Sequence, residues 1–219
     1  MALGHCIEVV LFDLDNTLYP PSSGLLEAGD ALITAFIADR LGLPGAEADE
    51  LRRRLWREYG TTARGLEIEH GVAQGELYEA GIERLKVADY LRPEPALAAM
   101  LSALPGRKHV FTNATRRYAM RVLAALGIAE AIEEIFDVEF AGGIPKPQRE
   151  PYVRVLAALE CPVERVALVE DTEANLEPAA ELGMLTIKLG PPPTSTRHLY
   201  LPLLVGLPDL LRPGDSHLR

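Results

Sequence analysis

Two acidic pairs in this chain stand directly after short apolar runs. Asp13-Leu14-Asp15-Asn16-Thr17 follows residues 7–12 (IEVVLF), and Glu170-Asp171-Thr172 follows residues 166–169 (VALV). Residues two apart in an extended chain point the same way, so Asp13 and Asp15 would converge at a strand's end. Close carboxylates repel, and they are tolerated when they hold a cation or share a proton. A solvated turn or helix cap is the plainer alternative for Asp13–Thr17. For Glu170-Asp171 that alternative is negative charge placed near a helix dipole. Phe111-Thr112-Asn113 sets a hydroxyl and an amide at a third strand end, where they could instead cap the helix beginning near Arg116. Ile144-Pro145-Lys146-Pro147 stiffens the backbone around one cation, which could equally be a surface lysine. His70 stands alone and reads as packing or surface.

The elements that must carry these residues are legible as short runs and periodic stripes. Residues 7–12, 108–112, 166–169 and 184–189 are brief, mostly apolar and rich in β-branched side chains, as buried parallel strands are. Ala119, Val122, Leu123 and Leu126 recur at helical spacing, and Gly127 stands where a C-terminal glycine would end that helix. Residues 176–182 before Gly183 repeat the arrangement. Strands alternating with helices predict an α/β fold with a doubly wound parallel sheet, and ligands bind such sheets at the strands' carboxyl ends. The stretch between the first two strands is far longer than one crossover requires. It contains a stripe of Ala28, Ala31, Leu32, Ala35 and Phe36, and further helical stretches over 51–59 and 76–85. A helical cap over residues 20–92 is therefore expected, on a core of residues 1–19 and 93–219. Pro20-Pro21 and Pro93-Glu94-Pro95 mark its hinges. The tail from Pro191 reads as a return segment along the domain edge.

Composition narrows the class. The chain has 219 residues, 48% hydrophobic and 25% charged, with a formal net charge of −10. A nucleic-acid polymer is an unsuitable partner for that charge, whereas a small phosphorylated metabolite is compatible, because a few local cations and a metal can overcome an acidic surface. Cys6 and Cys161 sit beside apolar segments and read as inert core thiols, with no disulfide or zinc spacing. No stretch reaches the roughly 20 apolar residues of a membrane span, and the N-terminus lacks a leader pattern. A cytoplasmic protein, monomer or homodimer, is the expectation.

Taken in order, DxDxT at Asp13, Thr112-Asn113, Lys146-Pro147 and Glu170-Asp171 resemble the four motifs of the haloacid dehalogenase superfamily, over about residues 7 to 190. The long helical insertion after the first motif resembles that superfamily's cap of the first type. The resemblance implies a magnesium-dependent phosphatase in which Asp13 is the nucleophile and forms an aspartyl-phosphate. Asp15 would be the general acid and then the base, a carboxylate that the dehalogenase branch lacks. It further implies that Thr112 and Asn113 bind the phosphoryl group, and that Lys146 neutralises both this group and Asp13. Asp13, Asp171, Glu170 and the main-chain carbonyl of Asp15 would hold Mg²⁺. Glu170 stands where aspartate is commonest, and Asn175 would support the metal loop.

The substrate is expected to be chosen by the cap. Arg57-Glu58-Tyr59-Gly60-Thr61-Thr62-Ala63-Arg64-Gly65-Leu66, Asp15-Asn16-Thr17-Leu18-Tyr19-Pro20 in the first motif's extension and Phe-Thr-Asn-Ala at the second motif are similar to the pyrimidine 5'-nucleotidase branch. That resemblance implies nucleoside monophosphates, with Tyr59 stacking on a base and Arg64 pairing with a phosphate or carbonyl edge. Packing within the cap is the alternative for Tyr59, and a solvated or structural cation the alternative for Arg64. A sugar phosphate or phosphoglycolate phosphatase, a phosphomutase and a non-catalytic phosphate-binding domain are the rival functions.

Overall fold

The computed structural model describes residues 7–212; Cys6 lies outside them. Six strands form one parallel sheet: β1 (Val9–Phe12), β2 (Arg107–Phe111), β3 (Glu134–Phe136), β4 (Val166–Glu170), β5 (Leu185–Leu189) and β6 (Leu199–Leu201), in the order β3-β2-β1-β4-β5-β6. Alternation along β1 decides which core each side chain enters. Val10 and Phe12 join one cluster with α6 (Pro95–Ala103), α7 (Arg116–Leu126) and α10 (Leu207–Leu210). Val9 and Leu11 join the opposite cluster with α8 (Arg149–Leu159) and α9 (Glu173–Leu182). Helices thus cover both faces, and the near-continuous apolar strands follow from that double burial. The chain is an α/β protein with a doubly wound sheet. Its strand order reverses between β1 and β4, which leaves a crevice beyond their carboxyl ends.

The stripe expected on α7 is buried throughout, and Gly127 closes the helix in the left-handed region at φ 71°. Strand β1 begins at Val9, two residues later than its apolar run, and β4 runs one residue further, through Glu170. The sequence pattern did not reveal β3 or β6, each three residues long. The tail from Pro191 supplies β6 as a parallel edge strand on β5. Cys161 is half-buried at the rim of the second cluster, its thiol donating to Glu8 at 3.7 Å, and so is not the core thiol expected. Among the described residues no helix is long and apolar enough to cross a membrane.

Between Pro20 and Pro93 lie α1 (Leu25–Leu41), α2 (Gly45–Tyr59), α3 (Thr62–His70), α4 (Gln74–Ala80) and α5 (Val87–Tyr90). The helical stretch expected over 76–85 breaks at Gly81 into α4 and a 3-10 turn at Ile82–Arg84. Ile37, Ala48, Leu55, Ala63, Leu66, Val72 and Leu77 form a separate small core for these helices. Leu25, Leu85, Val87 and Leu91 belong instead to the main cluster beneath, so both ends of the insertion are rooted in the sheet layer.

Candidate active site

The carboxyl ends of β1 and β4 bring the two acidic pairs together. Asp13 extends the β1–β4 ladder by one residue, its N–H donating to the Val169 carbonyl at 2.9 Å. Lys146 enters between the strands, 1% exposed. Its ammonium donates to Asp13 Oδ1 at 2.8 Å, Glu170 Oε2 at 2.7 Å and the Phe111 carbonyl at 2.9 Å. All three of its hydrogens are therefore directed at oxygen. Burial works against that charge, but Asp13 and Glu170 outweigh it and hold the lysine protonated well above its ordinary range. It is a buried structural cation at the centre of the site and not a surface lysine.

Asp13 is pushed up to about 6, by burial first and Glu170 second, with Lys146 opposing. Asp15 is also pushed up to about 6, by burial and by Asp13. Burial likewise raises Glu170 and Asp171. One lysine thus faces three carboxylates, Asp13, Glu170 and Asp171, whose oxygens lie within 4.8 Å of one another. The donor set is all oxygen and carries excess negative charge, which fits a hard divalent cation. Glu170 has less freedom to serve as a ligand than expected: Oε2 pairs with Lys146 and Oε1 accepts from Thr172 N–H at 3.1 Å.

Thr112 is 2% exposed, and its hydroxyl oxygen accepts from Ala114 N–H at 3.0 Å, which fixes it at the end of β2. Asn113 is used differently from the expected phosphate contact. Its Nδ2 donates to the Lys146 carbonyl at 3.0 Å and its Oδ1 accepts from Lys146 N–H at 2.7 Å. The side chain therefore clamps the main chain of the lysine. Asn175 lies on the first turn of α9 and lines a cavity with Asp13, Lys146 and Asp171.

Tyr19 stood in the first motif's extension without a role, and Tyr118 was not singled out in the sequence. Both hydroxyls converge on Asp15 Oδ1: Tyr19 donates a short hydrogen bond and Tyr118 donates at 3.0 Å, with the two hydroxyls 3.2 Å apart. The phenols are 2% and 0% exposed. Burial and the neighbouring Asp15 carboxylate raise both above the ordinary tyrosine range, so both remain protonated.

Two cavities that share lining residues open from these residues. The lower, ≈ 370 Å³, is lined by Asp13, Asp15, Thr112, Lys146, Glu170 and Asp171 among others. The upper, ≈ 500 Å³, shares Asp15 and Asp171 and rises into the cap between Leu26, Ile33, Arg53, Leu77 and Tyr78. Trp56 and Arg57 line both. Trp56 is 52% exposed, and Arg57 has no ion pair among the described residues.

The structure does not bring Tyr59 or Arg64 to either cavity. Thr61 caps α3 by accepting from Arg64 N–H at 3.1 Å, and this starts a helix that pairs Arg64 with Glu67 at 2.5 Å. Tyr59 donates to Glu69 at 2.9 Å and packs against the cap's own core. His70 is near Glu69 on the cap surface. Tyr59 and Arg64 were read from a sequence signature, and the helical faces point them elsewhere. Trp56 and Arg57, one turn earlier on α2, occupy the place expected of them.

Comparison with known proteins gives the family and the fold. The chain is 27% identical over 191 residues to Phosphate metabolism protein 8 of Saccharomyces cerevisiae, covering 81% of this chain and 60% of that protein's length. It is 27% identical over 207 residues to Enolase-phosphatase E1 of Streptomyces avermitilis, covering 83% and 84% of the two chains. The crystal structure of the HAD phosphatase from Thermococcus onnurineus shares the fold with a TM-score of 0.68 at 16% identity, over 94% of this chain and 99% of that one. The sequence profile of the haloacid dehalogenase-like hydrolases matches residues 7–183, and the chain belongs to that family.

Proposed function

We propose that the protein is a magnesium-dependent phosphomonoesterase acting through an aspartyl-phosphate, with nucleoside monophosphates, pyrimidine ones preferred, as its substrates. The observation that carries the phosphatase reading is Asp15 standing beside Asp13 over a cavity that also holds Lys146 and Asp171. Hydrolysis at carbon needs no acid at that position, whereas a phosphate ester's leaving oxygen needs a proton. The relatives named for phosphate metabolism and phosphatase activity support the same choice.

Asp13 attacks phosphorus and the bond to the ester oxygen breaks, its electron pair leaving with that oxygen as Asp15 supplies a proton. Asp15 then takes a proton from the water that attacks the aspartyl-phosphate, and phosphate departs. Lys146 offsets charge on Asp13 and on the transferring group, and the Thr112 hydroxyl can donate to a phosphoryl oxygen. Asp13, Asp171, the Asp15 carbonyl and Glu170 would hold Mg²⁺. When bound, the cation would draw the anionic phosphate and the carboxylates together.

Support for a nucleotide comes from the upper cavity. An exposed indole and an unpaired guanidinium at one mouth suit a planar base and an anionic or carbonyl edge. Nucleoside monophosphates and sugar phosphates should be assayed side by side in Mg²⁺ and in excess chelator. Mg²⁺-dependent turnover, highest on pyrimidine nucleotides, is expected. Trp56→Ala and Arg57→Ala should lower nucleotide hydrolysis about tenfold or more while sparing a small aryl phosphate, by the loss of stacking and charge-assisted contacts. Turnover in chelator would remove the metal reading, and a preference for sugar phosphates would remove the nucleotide one.

A further inference from the structure

Asp15 Oδ1 accepts from two buried phenols, one on the loop after β1 and the other on α7. A carboxylate oxygen has two lone-pair sites, and both are taken. Oδ2 has no hydrogen-bond partner among the described residues, and Asp15 lines both cavities. We propose that Tyr19 and Tyr118 are positioning residues that occupy Oδ1 and so confine the transferable proton of Asp15 to Oδ2, the oxygen free to meet the leaving group. The inference rests on the phosphatase reading and assigns the pair a place in its proton transfers.

The consequence is stereochemical. A free carboxyl group can carry its proton on either oxygen and rotate between them. Here a proton on Oδ1, or a rotation that brings the protonated oxygen to the phenols, would set an O–H against two buried donors and cost at least one of their hydrogen bonds. In the first step the proton passes from Oδ2 to the ester oxygen as the P–O bond breaks and its electron pair leaves with that oxygen. In the second step the same atom accepts a proton from water as the water's oxygen bonds to phosphorus and the bond from phosphorus to Asp13 breaks, its electron pair returning to the Asp13 carboxylate. Neither phenol lines the two cavities or is bonded to Asp13, Glu170 or Asp171, so the effect of the pair should appear only where proton transfer matters.

Two aryl phosphates separate this role from a structural one. Dinitrophenolate leaves without a proton, whereas phenolate needs one, and kcat/KM reports the steps through leaving-group departure. For Tyr19→Phe, Tyr118→Phe and the double variant, kcat/KM on phenyl phosphate should fall about tenfold to a hundredfold, within the usual contribution of a general acid. On dinitrophenyl phosphate it should change less than about threefold. Asp15→Asn supplies the reference pattern, the same selectivity with a larger drop. Tyr19→Phe alone keeps the test intact should the buried Tyr118→Phe fail to fold. Equal losses on both esters would mean a structural role and overturn the proposal. So would no loss on phenyl phosphate, or a gain, which would mean that the phenols hold Asp15 away from the substrate. A wild-type protein inert on both esters would remove the phosphatase reading itself.

Discussion

At the scale of the residue, the site is organised by Lys146, and Asn113 organises Lys146. The reciprocal pair between the Asn113 amide and the Lys146 main chain fixes the one cation among three carboxylates. Asn113→Ala should therefore lower turnover of every phosphate ester by a similar factor, and destabilise the protein by about 1–3 kcal/mol by stranding the buried Lys146 N–H. A panel of esters and a denaturant melt check this; loss confined to some substrates would assign Asn113 to the leaving group, and a uniform loss without lower stability would return it to phosphate binding. The sequence placed Asn113 at the right strand end but could not say which partner its amide takes, because that depends on a residue far along the chain. Asp13, Asp15, Thr112 and the Glu170-Asp171 pair were legible for the opposite reason. Each directly follows an apolar run, so the strand that carries it also announces it. Tyr19 and Tyr118 were given no role because a tyrosine in an apolar stretch looks like packing, and only the fold reveals two hydroxyls meeting on one oxygen.

At the scale of the element, the helices above the sheet approach the loop that carries Lys146 through backbone. Gly60 ends α2 at φ 82°, and a Cβ built there would lie 2.4 Å from the Lys146 carbonyl oxygen. Gly42 ends α1 at φ 68° with nothing within 4 Å of such a Cβ. Both alanine variants pay the left-handed penalty, of order 1–2 kcal/mol, but only Gly60→Ala also pushes on Lys146. Gly42→Ala should melt a few degrees lower with kcat/KM intact, while Gly60→Ala should lose at least about tenfold in kcat/KM as well, since a misplacement of about 1 Å at the reacting groups is costly. Matching kinetics for the two variants would show that the contact at Gly60 is irrelevant to catalysis. Gln74 donating to the Gly143 carbonyl, and Glu83 bonded to Thr115, Arg117 and Arg121, add cap-to-core contacts on other sides. The stripe from Ala28 announced the first helix of this insertion. Helix α3 was hidden because its residues were read for what they could bind, although Thr61 three residues before Arg64 is an N-cap spacing that would have turned Arg64 and Tyr59 away from the cavity.

At the scale of the whole molecule, a chain of net charge −10 concentrates four carboxylates, Asp13, Asp15, Glu170 and Asp171, around one lysine at the place where its sheet reverses order. Their mutual repulsion and burial oppose folding, as groups retained for function commonly do. Two consequences can be measured together. A divalent cation that binds only the folded chain should stabilise it by about 2.7 kcal/mol at a hundred times its dissociation constant. For a domain of this size that is a rise in Tm of roughly 5–10 °C. Asp171→Asn removes one of the crowded charges and one of the cation's ligands. In chelator it should therefore melt no lower than wild type, and in Mg²⁺ it should show little of the wild-type rise. A variant that melts clearly lower in chelator would mean that Asp171 holds the fold together through contacts such as Thr172 at 3.3 Å. A variant with an undiminished response to Mg²⁺ would place the cation elsewhere. The expected pair of results has a single cause: the sheet folds with its acidic crevice under electrostatic strain, and the cation that the proposed chemistry needs relieves it.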